Sequence, residues 1–237
     1  MHNDATSAAR PGDTRGRTTA ALAVLSFVAG SMDAIAFLAL GSVFTSAMSG
    51  NTILLGLAIG QGHFNDALHA VVAIASYVAG VMIASARLGK HNYLHWELAL
   101  ESLCLAGFAA LWHFTGGPAR AGVDYGLIVL SALAMGIQGA ASRRLGVPGV
   151  MTIIFTSTYT AIASSVIQQV TAGRHPFAGK HTARQLAALT AYLASAVFCG
   201  GVVAHWLFIA PFIPLAAIAT LIIGLRLRLL HLDTESA

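Results

Sequence analysis

Charged residues are scarce in this sequence. Only 9% of its 237 residues are Asp, Glu, Lys or Arg, whereas 57% are hydrophobic and the mean hydropathy is +0.75. A soluble domain has roughly 25% charged residues. The composition therefore excludes an ordinary soluble protein and indicates an integral membrane protein with lipid as its main surroundings.

Motifs that carry chemistry are also scarce. The chain has no G-x-S-x-G elbow, no P-loop and no H-E-x-x-H motif. Its two cysteines, Cys104 and Cys199, lie in apolar segments without a cationic neighbour, so we predict buried, unreactive thiols. We expect no enzymatic activity, no cofactor and no metal site.

The net charge of +4 does not indicate a nucleic-acid partner. The 13 Lys and Arg residues lie mostly between apolar stretches, which is the pattern of membrane topology. Residues 1–19 are polar, basic and rich in helix breakers, so we predict a disordered cytoplasmic tail. A single transmembrane domain over residues 20–230 and a C-terminal tail at 231–237 complete the predicted organisation.

Eight stretches approach the roughly 20 apolar residues that a helix needs to cross a bilayer. Two of them are unusual. The second is short and is interrupted by Ser-Gly-Asn-Thr at 49–52. The sixth is broken early by Pro148 and Gly149 and contains Thr-Ser-Thr-Tyr-Thr at 156–160. The eight stretches are residues 20–40, 43–59, 67–86, 96–114, 123–141, 147–170, 185–204 and 207–225.

The distribution of positive charge bears on whether the two unusual stretches cross. If all eight cross and the N-terminus is cytoplasmic, nine Lys and Arg residues lie inside and four outside. If the second and sixth stretches return to the side they entered from, twelve lie inside and only Arg120 lies outside. Cytoplasmic loops are enriched in Lys and Arg. We therefore predict six full transmembrane helices plus two short or broken intramembrane helices, with eight spanning helices as the alternative.

An internal repeat agrees with this topology. Gly-Ser-Met-Asp-Ala-Ile-Ala at 30–36 resembles Gly-Ile-Gln-Gly-Ala-Ala-Ser at 136–142, and Ala-Ser-Tyr-Val-Ala-Gly at 75–80 resembles Thr-Ala-Tyr-Leu-Ala-Ser at 190–195. The halves are about 20–114 and 123–225. Three crossings per half would invert the second half relative to the first, as in many secondary transporters.

Polar residues inside the apolar stretches are the candidate site. Asp33 lies about 13 residues into the first stretch, where an ionised carboxylate costs on the order of 3 kcal/mol unless it is paired or hydrated. A break in a helix within lipid also requires partners for its peptide groups. The candidate substrate-binding residues are Asp33, Ser49, Gly50, Asn51, Thr52, Gln138, Thr156 and Ser157. The alternative is that these side chains only form hydrogen bonds between helices.

Two further acidic residues lie near the end of an apolar stretch. Glu97 and Glu101 are four residues apart beside Trp96, near a predicted membrane boundary. We interpret them as anchors that extend toward the interface rather than as a site.

The segment 30–60, "GSMDAIAFLALGSVFTSAMSGNTILLGLAIG", resembles the signature of the YoaK-like family of bacterial inner-membrane proteins, a domain-of-unknown-function family. The shared features are an Asp in the first helix and a Phe-Thr start that leads to a Thr-Gly-Asn core, which here is Ser49-Gly50-Asn51. The segment 132–160 resembles the second signature of the family, with Ser157 in place of the usual glycine. The resemblance implies membership and carries no biochemical activity.

These observations predict an all-helical, multi-pass protein of the bacterial inner membrane with cytoplasmic termini. We expect it to move a small solute or ion, with no nucleic-acid partner. A channel or pore-forming homo-oligomer is one alternative, and a non-transporting scaffold or regulatory subunit is another.

Overall fold

The computed structural model describes residues 11–86, 93–118, 122–144, 152–173, 180–227 and 229–230. In these ranges the chain forms eight α-helices and no β-strand, so the predicted all-helical class is confirmed. The helices are α1 (Pro11–Ala39), α2 (Met48–Gln61), α3 (Phe64–Ser85), α4 (Tyr93–Thr115), α5 (Val123–Arg144), α6 (Thr152–Thr171), α7 (Lys180–His205) and α8 (Phe212–Arg226).

Five helices of the described chain are long and apolar enough to cross a membrane, namely α1, α3, α4, α5 and α7. The apolar helix α8 has 15 residues and α2 has 14, which correspond to about 22 and 21 Å against a hydrocarbon core of about 30 Å. Helix α6 has 20 residues, but ten of them are Ser, Thr or Gln. A multi-pass membrane protein follows from the five long helices.

The first helix begins earlier than we predicted. Residues 11–19, which we predicted to belong to a disordered tail, are helical and continue into the apolar part of α1. Residues 1–10 and the predicted C-terminal tail at 231–237 lie outside the described residues.

Helices α1 and α5 form the centre of the bundle. About two thirds of the apolar window of α1 and 72% of that of α5 are buried, against 39% or less for α3, α4 and α7. Helix α1 packs mainly on α7 and α8, and α5 packs mainly on α3 and α4. The first helices of the two halves, α1 and α5, therefore lie at the centre. Helix α1 packs on α7, the third helix of the second half, and α5 packs on α3, the third helix of the first half.

Glycines bring the backbones together at both of these main crossings. A methyl group added at Gly30 of α1 would collide with the carbonyl of Tyr192 and the hydroxyl of Ser195 on α7. One added at Gly136 of α5 would collide with the carbonyl of Tyr77 on α3 and crowd Gly80. Small residues allow such close packing where lipid provides no hydrophobic driving force between helices.

The two crossings use matching positions of the similar segments. Gly30 and Gly136 are the first residues of the similar segments 30–36 and 136–142. Tyr77 and Tyr192 are the third residues of the similar segments 75–80 and 190–195. The carbonyl of each tyrosine faces the glycine of the opposite half. The sequence similarity thus coincides with a similarity in packing.

We predict that Gly136→Ala lowers the free energy of unfolding by about 1–3 kcal/mol, because the added methyl group meets the backbone of α3, which has little room to move. Gly30→Ala is expected to act in the same way at the other crossing. Thermal unfolding in detergent measures both effects. Gly201→Ala on α7, where nothing lies within 4 Å, is the control and should be neutral or slightly stabilising. Equal melting temperatures for G136A and G201A would contradict the close crossing.

Candidate functional site

A non-helical segment, residues 40–47, joins α1 to α2. It begins with a turn in which Gly41 and Ser42 both have positive φ angles, +79° and +57°. Positive φ is uncommon for a residue other than glycine and persists where surrounding contacts hold it. The turn reverses the chain, so that residues 43–47 lie back against α1.

Asp33 of α1 holds this segment. Its side chain is only 2% exposed and accepts five hydrogen bonds from described residues. Oδ1 accepts from the backbone N–H groups of Thr45 and Ser46, both at 2.7 Å, and from the Thr45 hydroxyl at 3.0 Å. Oδ2 accepts from the hydroxyls of Ser46 at 2.6 Å and Tyr192 at 2.7 Å. Because an ionised carboxylate only accepts hydrogen bonds, this set of donors matches its needs.

Asn51 satisfies the peptide groups of Phe44 in the same segment. Its Oδ1 accepts from the Phe44 N–H at 2.8 Å, and its Nδ2 donates to the Phe44 carbonyl at 2.6 Å. The Asn51 side chain is fully buried. A backbone group without a partner costs several kcal/mol in lipid, so this amide replaces the bonds that a continuous helix would have supplied.

The site also joins the two halves of the chain. Tyr192 belongs to α7 in the second half, and its hydroxyl bonds to the carboxylate of α1 in the first half. The Gly30 crossing places the backbone of α7 directly beside α1, one turn away from Asp33. We call the set Asp33, Thr45, Ser46, Asn51 and Tyr192 the Asp33 cluster.

The break in the second stretch lies earlier than we expected. Ser49 to Thr52 belong to the first turn of α2, and the non-helical residues precede them. Gly50 packs against the ring of Phe44. Ser49 and Thr52 are exposed, and the Thr52 hydroxyl donates to the Met48 carbonyl of its own helix. Among the hydrogen bonds of the described residues, Asn51 joins the segment that Asp33 holds, through the peptide groups of Phe44, whereas Thr52 bonds within its own helix.

The sixth stretch is continuous where the structure describes it. Helix α6 passes through Thr156 to Thr160 without interruption, so the polar run there does not break the helix. Thr156 and Ser157 lie inside α6, and their side chains lie outside the described part of the structure. Pro148 and Gly149, where the sequence also predicted a break, are likewise outside the described residues.

Gln138 belongs to a second group of polar residues rather than to the Asp33 cluster. Its Nε2 donates to Oε1 of Glu101 on α4 at 3.0 Å and lies 3.3 Å from the Leu25 carbonyl of α1. Leu25 precedes Asp33 by eight residues, or about 12 Å along the helix. The predicted single site therefore divides into two buried polar regions.

The interpretation of Glu97 and Glu101 as interface anchors is wrong. Both side chains are 1% exposed and lie inside the bundle. An anchor that extends toward the headgroups keeps its charged end in water, whereas these two face the packed interface of α4 with its neighbours. Their spacing of four residues indicated a shared helix face, but not which face points inward.

Sequence reasoning also missed Thr45, Ser46 and Tyr192. Thr45 and Ser46 belong to the Phe-Thr-Ser segment before α2, and Tyr192 lies in the repeated Tyr segment. Both segments carry a recognisable pattern, but the pattern alone indicates no contact with Asp33. Their contacts with Asp33 join residues 12 to 159 positions apart, which no local spacing rule connects.

A pair between α3 and α5 lies beside the turn that follows α1. Nε2 of His69 is 2.8 Å from Oδ2 of Asp124, and the two side chains are 13% and 23% exposed. The backbone of Gly41 packs closely against the His69 imidazole, and a Cβ there would collide with it. The turn that positions the Asp33 cluster is therefore in contact with α3, and through Asp124 with α5.

An open cleft of about 350 Å³ lies between α1, α7 and α8. Its lining is apolar apart from one hydroxyl, and none of the predicted site residues borders it; the lining residues are Ala23, Val24, Phe27, Ala191, Ala217 and Thr220. The cleft therefore offers apolar contacts, and no residue of the Asp33 cluster lines it.

The fold and the buried cluster define a multi-pass helical membrane protein with an intramembrane carboxylate at a helix break. Residues 21–225 match the family model described as "Protein of unknown function (DUF1275)", and the chain belongs to this family. It is 36% identical over 152 residues to the UPF0700 transmembrane protein YoaK of Bacillus subtilis (strain 168). The matched region covers 61% of this chain and 65% of that protein. No solved structure matches.

We predict that Asp33→Asn lowers the free energy of unfolding by about 2–4 kcal/mol, because the new NH2 group faces donors and the charge that strengthens the remaining bonds is lost. Tyr192→Phe removes a single donor and should cost about 1–3 kcal/mol. Chemical or thermal unfolding in detergent measures both variants.

Thr52→Val is the matched control for these two changes, since its exposed hydroxyl bonds only within α2 among the described contacts. It should change the free energy of unfolding by less than about 0.5 kcal/mol. If D33N were as stable as T52V, the hydrogen bonds to Asp33 would not hold the segment before α2.

Proposed function

We propose that this protein moves a small solute or ion across the membrane, with the Asp33 cluster as the element that changes between conformations. The observation that carries the proposal is a buried carboxylate that links a helix break in one half to a helix of the other half. Intramembrane carboxylates are rare and mark ion or substrate pathways in membrane proteins.

The arrangement of the helices supports alternating access. The first helix of each half packs on the third helix of the other half, through a glycine that faces a tyrosine carbonyl in both cases. Transporters with inverted repeats bind substrate where broken helices meet at the repeat interface. In the conformation described here, the Asp33 cluster closes that interface, and its hydrogen bonds would have to exchange with solute or water for the halves to separate.

The proposal includes the topology of six spanning helices and two shorter ones, in the bacterial inner membrane with both termini cytoplasmic. Helix α2 supports it, because α2 packs mainly on α3 and the non-helical segment before it is hydrogen-bonded back onto α1. In this topology the connection between α2 and α3 is external. If α2 crossed the bilayer, the same connection would be cytoplasmic.

A cysteine at position 63 tests the topology. His63 is exposed between α2 and α3, whereas the natural Cys104 and Cys199 are buried and should give little background. We expect H63C to react with an impermeant maleimide added to intact cells. A172C, at the end of α6, lies inside in both topologies and should react only after permeabilisation. Labelling of H63C only after permeabilisation would refute the re-entrant arrangement.

A non-transporting scaffold or regulatory subunit is the second candidate. One specific observation favours it: Asp33 already accepts five hydrogen bonds, and Asn51 already bonds both peptide groups of Phe44. A fully bonded polar cluster can serve simply to hold two helices together.

A thermal-stabilisation screen separates the two candidates. Purified protein is melted in the presence of metabolites and ions, and the shift in melting temperature is compared for the wild type, D33N and Y192F. We expect a solute that stabilises the wild type but stabilises both variants several-fold less. T190A, which removes an exposed hydroxyl of α7, is the control and should keep the full shift. No stabilising solute, or equal shifts in D33N, would favour the scaffold.

A further inference from the structure

A buried polar layer lies between α4 and α5, apart from the Asp33 cluster. It consists of Glu97 and Glu101 on α4 and Gln138 and Ser142 on α5, each 3% exposed or less. We call these four residues the glutamate layer. The proposed role of Asp33 in transport makes no use of it.

Helix geometry places the four side chains at two adjoining levels. Gln138 and Glu101 are in direct contact at 3.0 Å. Helices α4 and α5 follow each other through a short connection and pack as antiparallel neighbours. One turn backward on α4 leads to Glu97, and one turn forward on α5 leads to Ser142, so these two lie at the next level of the same interface.

Two oxygens of the glutamate layer have no hydrogen-bond partner among the described residues. They are Oε2 of Glu101 and the hydroxyl oxygen of Ser142, and both are buried. Ser142 is an independent observation, because it belongs to the other helix and carries no charge. A buried polar atom without a partner costs free energy, so a native structure normally fills such a position.

The charges of the glutamate layer also favour the binding of a cation there. Two carboxylates one helix turn apart repel each other, and each costs several kcal/mol when it is buried ionised. The Gln138 amide bonds one oxygen of Glu101 but carries no charge. A cation that joins the layer would reduce the repulsion and supply the partner that Oε2 of Glu101 lacks.

We propose that the glutamate layer is a proton-binding site in which Glu97 and Glu101 share at least one proton. The proton comes from a hydronium ion of the solvent, which is left as water, and it forms an O–H bond at Oε2 of Glu101, so that the layer loses one negative charge. A divalent metal fits less well, because the described part of the chain has no cluster of three His, Cys, Asp or Glu residues that could hold one.

Four elements contribute groups near the layer. Cys104 lies three residues beyond Glu101 on α4, and the Leu25 carbonyl faces Gln138 from α1. Arg17, a partly buried cation of α1, lies eight residues before Leu25, or about 12 Å along the helix. The only ionisable residue of α8 is the exposed Arg226 at its end. Asp124, at the other end of α5, is paired with His69. Arg143 and Arg144 follow Ser142 at the end of α5, and their side chains lie outside the described part.

The inference is independent of transport. Leu25, which marks the level of Gln138 on α1, is about 12 Å from the level of Asp33 along the helix axis. A protonated glutamate can exist in a scaffold as well as in a transporter, so failure of the solute screen leaves this proposal standing. Failure of the proton test in turn leaves the Asp33 proposal standing.

Infrared difference spectroscopy of the full chain in lipid bilayers tests the proposal. We expect the wild type to show the C=O stretching band of a protonated carboxylic acid near neutral pH, which disappears as the pH is raised. E101Q should lose this band or shift it, because the amide cannot be ionised and has the same shape. E97Q provides a second variant, in case E101Q does not fold, and should shift the same band.

D66N is the matched control, because Asp66 is a 64% exposed acid at the start of α3, and it should leave the band unchanged. A wild-type spectrum without a protonated carboxyl band that responds to E97Q or E101Q would overturn the proposal. A change in the carboxylate bands on addition of Na+ or K+ at constant pH, without that band, would assign the layer to a metal cation and overturn it as well.

Discussion

A peptide group that leaves a helix inside a bilayer must find its hydrogen-bond partner within the protein, and this requirement governs the chain between α1 and α2. Asp33 bonds the backbone of Thr45 and Ser46, and Asn51 bonds both peptide groups of Phe44. These two side chains supply partners for both peptide groups of Phe44 and for the N–H groups of Thr45 and Ser46. The segment that leads into α2 is held against α1 in this way.

The polar groups inside the bundle join elements that are distant in sequence. Asp33 connects α1 with α7, and Gln138 connects α5 with α4 and α1. Glycines at positions 30 and 136 bring the backbones close enough at the two main crossings. Since an apolar surface packs equally well against lipid, close packing and hydrogen bonds decide which helices become neighbours. A substitution in either polar region would therefore alter the packing of helices from both halves of the chain.

Several parts of the structure could be predicted from the sequence. The five long helices follow from apolar stretches, and the burial of Asp33 follows from its position within one of them. The family assignment follows from the segments around Asp33 and Gln138. Ser49 and Thr52, which were predicted to line a site, are exposed, and Glu97, which was predicted to extend toward the interface, is buried. A hydropathy pattern does not indicate which face of a helix points inward.

The sequence by itself determined the membrane setting, the number of helices in the described chain and the presence of acids among apolar residues, because these depend on composition and local spacing. Only the tertiary structure decided that Tyr192 meets Asp33 and that Glu101 meets Gln138. These contacts join residues 159 and 37 positions apart. Their formation depends on how whole helices pack, and the free energy of that packing is a property of many side chains together.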